Sequence, residues 1–251
     1  MACITSNSHS TYLERGSSQY WTILDATQTG LDFAGSFTLS GWIKVESAPS
    51  DSTYLIINKW LTTGNQRQYQ LFYTDDAGAK SLVFQVDPDG TNGSSVTVIA
   101  SQTFTAGTWY HVAAIFQAST RIEIYVNGSS VATNTTSIPA AAFDGAGDFR
   151  IGASGTGANA FDGLIDDVRV WARDIGDSGV SSLYADPCCY DNGANLVGWW
   201  KFDNAATDAS GSGNDLSASV SSPTFSTDAA FACAAGAGGG SKPTLLLCGV
   251  G

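Results

Sequence analysis

Three aspartates near residue 165 have the residue type and spacing that suit a metal ion. Asp162, Asp166 and Asp167 fall in one short segment, and hard cations such as calcium take several carboxylate and carbonyl oxygens. On a strand, Asp166 and Asp167 would point to opposite faces, so at most one joins Asp162 easily. Calcium is therefore a candidate cofactor, and turn formation or strand-end hydrogen bonding is the alternative role. A second oxygen-rich group follows in a loop-like stretch: Asp203, Asp208, Ser210, Asn214 and Asp215.

Sugar recognition is a second chemistry that the residue types allow. Aromatic faces beside amides and charged groups in loops suit glycans, and the candidate ligand-binding residues are Trp60, Asn65, Arg67 and Tyr69. Trp60 comes just before a Thr-Thr-Gly-Asn stretch that is typical of a loop, which would expose it. The alternative is that the aromatic residues fill the core, as most aromatic side chains do.

Glycoside hydrolysis is not favoured by the distribution of acids. It needs two carboxylates across the sugar, and the chain has only three glutamates, Glu14, Glu46 and Glu123. Glu123 lies on a predicted strand whose same-face neighbours are Arg121 and Tyr125, so no second carboxylate stands beside it. We expect Glu123 to be an exposed strand residue and the protein not to be an enzyme.

The two histidines do not favour a catalytic triad either. His9 lies in a polar terminus, whereas His111 lies between apolar neighbours on a predicted strand, two residues after Trp109. We expect His111 to be a buried, hydrogen-bonded structural residue. A glycine-rich phosphate loop before a helix is also missing from the sequence, which disfavours nucleotide use.

The composition and charge of the chain exclude some classes of binding partner. The chain has 251 residues, a net charge of −12 and a sequence pI near 4.2. Eleven scattered Lys and Arg residues do not supply a phosphate-neutralising surface, so we expect no nucleic-acid partner. No apolar run approaches the roughly 20 residues that span a bilayer, and the acidity disfavours anionic lipid, so we expect no membrane partner.

The N-terminus and the cysteines bear on localisation. Residues 1–9 lack a basic start and an apolar stretch, so the sequence predicts no signal peptide and suggests a mature fragment or release by another route, such as lysis after virion assembly. The five cysteines match no zinc pattern: Cys3, Cys188, Cys189, Cys233 and Cys248. Free thiols are the favoured interpretation, and a disulfide from Cys188 or Cys189 to the C-terminal segment is the alternative.

Short alternating segments recur along the chain with turn signals between them, which is typical of a β-sandwich or barrel. Asn127-Gly128 predicts a type I′ hairpin. We expect one short helix at about residues 178–184, ending before Pro187. The segment from residue 233 to 251 begins as a Gly/Ala-rich linker and carries an apolar patch, Leu245, Leu246 and Leu247, so we predict one domain over residues 1–232 and a flexible tail.

Several segments in order resemble landmarks of the laminin-G-like, or concanavalin-A-like, family. Residues 16–23 and 31–44 resemble its opening strands, and residues 104–112 its central tryptophan–histidine strand. Residues 161–168 resemble a late strand, and 196–214 with 223–228 resemble a segment that closes or opens such domains. The resemblance covers about residues 12–231. The closing segment could also be half of a second domain or a strand exchanged with a neighbour.

The resemblance implies an all-β, two-sheet antiparallel jelly-roll sandwich that displays a surface and binds something. Members often carry calcium, but the acidic ligands of the pentraxin pattern are replaced here by Ala153-Ser154-Gly155. The favoured hypothesis is a non-enzymatic structural or decoration protein on a virion surface. Its tail would contact itself or other structural proteins, and glycan adhesion is compatible with this role. The alternative is an extracellular carbohydrate-binding lectin module, with or without calcium.

Overall fold

The computed structural model describes residues 3–4, 6–50 and 52–233, and it confirms a sandwich of two antiparallel sheets. The strands are β1 (Ser10–Leu13), β2 (Trp21–Ile23), β3 (Phe37–Val45), β4 (Thr53–Leu61), β5 (Gln66–Asp76), β6 (Ala79–Val86), β7 (Val96–Ser101), β8 (Tyr110–Gln117), β9 (Arg121–Val126), β10 (Ser129–Asn134), β11 (Phe149–Ile151), β12 (Gly163–Trp171), β13 (Leu196–Trp200), β14 (Ser217–Ala218) and β15 (Thr224–Ser226). One α-helix, α1 (Gly176–Ala185), and two short 3-10 turns, Arg15–Ser17 and Asp25–Thr27, are also present.

The two sheets differ in size and order. The larger has eight strands in the order β10-β9-β8-β3-β12-β1-β15, with β13 also paired to β12. The smaller has seven strands in the order β14-β2-β11-β4-β5-β6-β7. Strands far apart in the chain pair in one half of each sheet, from β8 through β3, β12 and β1 to β15 and from β14 through β2 and β11 to β4. The other half consists of successive hairpins, β4 to β7 in one sheet and β8 to β10 in the other.

The core lies between the sheets because the strands alternate apolar inward residues with polar outward ones. On β5, Tyr69, Leu71 and Tyr73 are fully buried. The rings of Phe33 and Phe37 stack with centroids 4.4 Å apart beside Tyr69. Each large apolar side chain buried in this way stabilises the fold by about 1.5–3 kcal/mol.

The hairpin and the helix form where the sequence predicts them. Asn127 and Gly128 have φ of 49° and 76°, the two positive values that a type I′ turn requires. The helix α1 is longer than predicted at both ends, and it covers the outer face of the larger sheet with Val180 and Leu183 buried. It ends before Pro187, as expected.

The closing segment belongs to this same sandwich. β13 pairs with β12, β14 with β2, and β15 with β1, so the segment contributes to both sheets. Neither a second domain nor an exchanged strand is needed to explain it.

The prediction of free thiols is wrong for four of the five cysteines. Cys3 bonds Cys189, and Cys188 bonds Cys233. The alternative was correct in joining Cys188 to the start of the C-terminal segment. Cys248 and the predicted tail residues Leu245, Leu246 and Leu247 lie outside the described residues.

Candidate functional site

A row of polar side chains crosses the outer face of the seven-stranded sheet. Arg150 on β11 is opposite Asn58 on β4, and Asn58 is opposite Gln70 on β5. Directly opposed residues of an antiparallel pair point to the same face, so the register aligns these side chains abreast. The row runs, in strand order, through Thr22, Arg150, Asn58, Gln70, Gln85 and Thr97.

The amides of the row are held by hydrogen bonds. Gln70 Nε2 donates to Gln85 Oε1 at 2.7 Å, which fixes both side chains across the β5–β6 pair. Asn58 Nδ2 donates to the carbonyl oxygen of Ala153 at 3.0 Å. Asn58 Oδ1, although buried, has no hydrogen-bond partner within the described part of the chain.

Arg150 is the one cation in this row. Its side chain is 10% exposed, and its Nη2 donates to Asp148 Oδ2 at 2.6 Å. The other two nitrogens, Nε and Nη1, are buried and find no partner among the described residues. Gly155 packs closely against the guanidinium. A Cβ at this position would come within 3.0 Å of Arg150 Cζ, so glycine suits the close approach. A buried donor without a partner is costly, so these nitrogens mark a place where a polar ligand or water is stabilising.

A pocket of about 520 Å³ opens beside Arg150 on the same face. Trp60 and Phe72 supply aromatic surface, and Gln70 and Asn159 supply amides. Small side chains from β4, from the turn after it and from the loop after β11 complete the wall, among them Thr53, Thr62, Ser154 and Thr156.

Two bulges in the β4–β5 pair accompany this arrangement, with Ile56 as the extra residue in β4 and Gln68 as the extra residue in β5. The β4–β5 register shifts between Leu55 and Ile57, and again between Lys59 and Trp60. Bulges of this kind re-aim side chains. Lys59 consequently points inward, where it is fully buried between the carboxylates of Asp25 and Asp32, while Trp60 faces the pocket.

The predicted ligand-binding residues separate in the structure. Trp60 lines the pocket, but Asn65 and Arg67 lie past the end of it. Arg67 Nη1 donates to Asn65 Oδ1 and to the carbonyl oxygen of Gly90, which ties two loops together. Tyr69 is fully buried, and its hydroxyl donates to the Leu31 carbonyl oxygen at 3.0 Å, so it belongs to the core rather than to a ligand surface.

The predicted calcium ligands also separate. Asp162 accepts from Ser47 Oγ at 2.7 Å at the edge of the sandwich. Asp166 is fully buried and accepts from Asn7 Nδ2 and from the Ala230 backbone N–H, and burial raises the pKa of Asp166 to about 8. No group of three or more acidic, His or Cys side chains within the described ranges could hold a metal.

Asp167 has a partner of its own. Its carboxylate lies 2.9 Å from Arg169 Nη2, and both side chains are almost completely buried. Asp167 Oδ1 also accepts from Trp199 Nε1 at 2.7 Å. A carboxylate paired and hydrogen-bonded in this way is a structural group, since a buried ion pair needs such bonds to be tolerated.

Glu123 and His111 are both buried on the outer side of the larger sheet. The expectation that Glu123 is exposed is wrong, because it is 6% exposed and accepts from Tyr125, Ser130 and Thr133 hydroxyls. His111 is buried as predicted, with Nε2 2.9 Å from Ser40 Oγ. Burial, aided by the charge of Arg169, lowers the pKa of His111 to about 3.

The family model of the concanavalin A-like lectin/glucanases superfamily matches residues 15–181, more than half of the chain. The chain belongs to this superfamily. Over 157 residues, 62% of the chain, it is 26% identical to the adhesion G-protein coupled receptor V1 of Danio rerio, and the match spans 2% of that receptor's length.

Two solved structures of the superfamily fold are similar to this chain. A candidate carbohydrate-binding protein of Bacteroides ovatus is 20% identical with a TM-score of 0.64, covering 88% of this chain and 60% of the other. A heptameric SAP-like pentraxin of Limulus polyphemus is 16% identical with a TM-score of 0.63, covering 87% of this chain and 94% of the other. At these identities the likeness concerns the fold.

Sequence reasoning missed most of the polar row and of the pocket in this superfamily member. Arg150, Asn58 and Gln70 come from three strands, and only the long-range register brings them together. The alternation of β5 could have indicated that Gln70 faces away from the core, since it lies between Tyr69 and Leu71. No comparable signal marks Arg150 on the three-residue strand β11.

Proposed function

We propose that this protein is a non-catalytic carbohydrate-binding module whose binding site is the pocket beside the polar row. The observation that carries the proposal is the combination of Trp60, Phe72, Gln70 and Asn159 around one open depression. Sugars present apolar C–H faces and hydroxyl groups, which aromatic rings and amides complement. The B. ovatus protein of the same fold, described as a candidate carbohydrate binder, supports the same substrate class.

Binding rather than hydrolysis is favoured by the position of the acids. The pocket lining contains neither Asp nor Glu, whereas glycosidases use two carboxylates that flank the bond. Glu123, the one glutamate considered for this role, is buried among hydroxyl groups on the other sheet.

We place the module outside the cell or on a surface, because two disulfides are typical of proteins that mature in an oxidising environment. Display on a virion is the more specific form of this proposal, with residues 245–247 attaching the protein to a neighbour. Deleting residues 236–251 should then leave a folded monomer that no longer assembles, and unchanged assembly would contradict the attachment role. Within the described residues, no helix is long and apolar enough to cross a membrane.

The test is a glycan array with the wild type, Trp60→Ala and Trp109→Ala. Trp109 is the matched control, because it is a partly buried tryptophan whose Nε1 bonds Asp228 away from the pocket. Glycan binding should be lost only in Trp60→Ala, with circular dichroism unchanged. Absence of binding by the wild type, or equal binding by both variants, would reject the proposed site.

The calcium dependence of glycan binding is tested by repeating the glycan array in the presence of a chelator. Calcium dependence is part of what the family resemblance implies. Since the pocket lining holds no carboxylate, we expect chelation to leave binding at this pocket unchanged. Loss of binding on chelation would instead indicate a site elsewhere on the module.

A further inference from the structure

We propose that the pocket takes a saccharide carrying a carboxylate group, which Arg150 recognises. This inference rests on the proposed function, since it assigns the chemical class of the ligand to the same site. Its starting observation is that Arg150 Nε and Nη1, buried in the pocket wall, are without a partner among the described residues.

The charge at the pocket is opposite to that of the molecule. The chain has 23 acidic and 11 basic residues, so acidic side chains outnumber basic ones about twofold. The pocket lining nevertheless has Arg150 as its single charged residue. Its partner Asp148 lies outside the lining, so the pocket wall itself presents a cation and no acid, which favours an anionic group over a cationic one.

The ion pair with Asp148 does not use up the binding capacity of Arg150. Only Nη2 contacts Asp148, whose other oxygen accepts the backbone N–H of Asp25 at 3.0 Å. A guanidinium has five N–H donors in a fixed plane, and its buried Nε and Nη1 have no partner among the described residues. A carboxylate forms short, charge-assisted hydrogen bonds with such donors.

The rest of the pocket indicates that the carboxylate belongs to a sugar rather than to a peptide or a small acid. Trp60 and Phe72 offer apolar surface, and Gln70, Asn159 and threonine hydroxyls offer neutral hydrogen-bonding groups. A uronic or sialic acid residue presents the same set: a ring with C–H faces, several hydroxyls and one carboxylate.

The experiment compares acidic glycans with matched neutral forms by isothermal titration calorimetry. The probes are oligogalacturonate with its methyl ester, and sialyllactose with lactose. We expect at least one acidic glycan to bind about tenfold or more tightly than its neutral partner, and Arg150→Gln to remove that difference.

A second variant covers the case in which Arg150→Gln fails to fold. Asn159→Asp adds a carboxylate to the pocket without changing side-chain size, and Asn195→Asp is its matched control. Both asparagines are exposed with φ of 55° and 65°, and each backbone carbonyl oxygen accepts from a backbone N–H. Asn195 precedes β13 in the other sheet. Asn159→Asp should weaken binding of the acidic glycan about tenfold, and Asn195→Asp should not.

The outcomes separate this inference from the proposed function. If acidic and neutral forms bind equally and Trp60→Ala abolishes both, the module binds glycans but the carboxylate inference is wrong. If the Asn159→Asp and Asn195→Asp variants bind the acidic glycan with the same affinity, the carboxylate inference is also wrong. If none of the four probes binds, the inference is overturned together with the pocket's assignment for these ligands.

Discussion

Cys188 and Cys189 are consecutive residues, yet each forms a disulfide with a different end of the described chain. Cys189 bonds Cys3, and Cys188 bonds Cys233. One dipeptide after α1 therefore fixes both the segment that leads into β1 and the segment that follows β15. These bonds close loops with sequence separations of 186 and 45 residues.

Removing either disulfide should lower the free energy of unfolding by about 2–5 kcal/mol. In the chain-entropy model the longer loop counts for more, so Cys3→Ser/Cys189→Ser should cost about 1 kcal/mol more than Cys188→Ser/Cys233→Ser. Denaturant titration of both double variants checks the order. Finding these four cysteines as free thiols in the native protein would contradict the pairing itself.

Tyr69→Phe should lower stability by about 1 kcal/mol and leave glycan binding unchanged. The change removes the hydrogen bond to the Leu31 carbonyl oxygen but keeps the buried ring. Urea denaturation and the glycan array measure the two effects. Weaker glycan binding by a folded Tyr69→Phe would show that this residue contributes to the ligand site after all.

Acid should destabilise the protein through His111. Its folded-state pKa, about 3, lies below the unfolded value near 6.5, so the unfolded chain binds the proton more strongly. Stability from this group is complete above pH 6.5 and falls as the pH decreases toward 3, by up to about 1.4 kcal/mol per pH unit. Denaturation at pH 7, 6 and 5 should show a smaller decrease in His111→Gln than in the wild type. Parallel decreases would mean that His111 is not the group responsible.

Arg169→Met should be among the most destabilising single changes, at about 3–5 kcal/mol. It would leave the Asp167 carboxylate buried without its cationic partner. The double variant Arg169→Met/Asp167→Asn should recover part of the loss, because it removes the unpaired charge. Thermal melts of the two variants provide the comparison. A single variant as stable as the wild type would show that the ion pair contributes nothing.

The fold was predictable because its signals are local. Alternation identified strands, Asn127-Gly128 identified the hairpin, and Pro187 limited the helix. The position of His111 also followed from its apolar neighbours on one strand. Each of these depends on a few adjacent residues.

The site was only partly predictable, because the face to which a side chain points and the register of its strand depend on long-range contacts. Tyr69 and Trp60 are both aromatic residues on neighbouring strands, but the bulge at Ile56 in β4 sends Trp60 outward while Tyr69 packs inward. The prediction that Asp166 and Asp167 point to opposite faces is wrong, because a bulge between Asp166 and Arg169 leaves Ile165 and Val168 in the core and both aspartates outside it. Their partners Ala230 and Arg169 could not be predicted from spacing. The disulfides joined positions too far apart for spacing to indicate.

The polar row also has a periodicity. Its members stand one per strand, and neighbouring strands lie about 4.8 Å apart, a distance close to the length of one hexose in an extended polysaccharide. Gln70, Gln85 and Thr97 are the half-buried members on three successive strands, whereas Asn58 is fully buried. A polymer lying across β5 to β7 would present one sugar unit to each of these strands, and it could do so at any point along its length. Chain ends would then be irrelevant to recognition, and affinity should rise with oligomer length only until the oligomer spans these three strands.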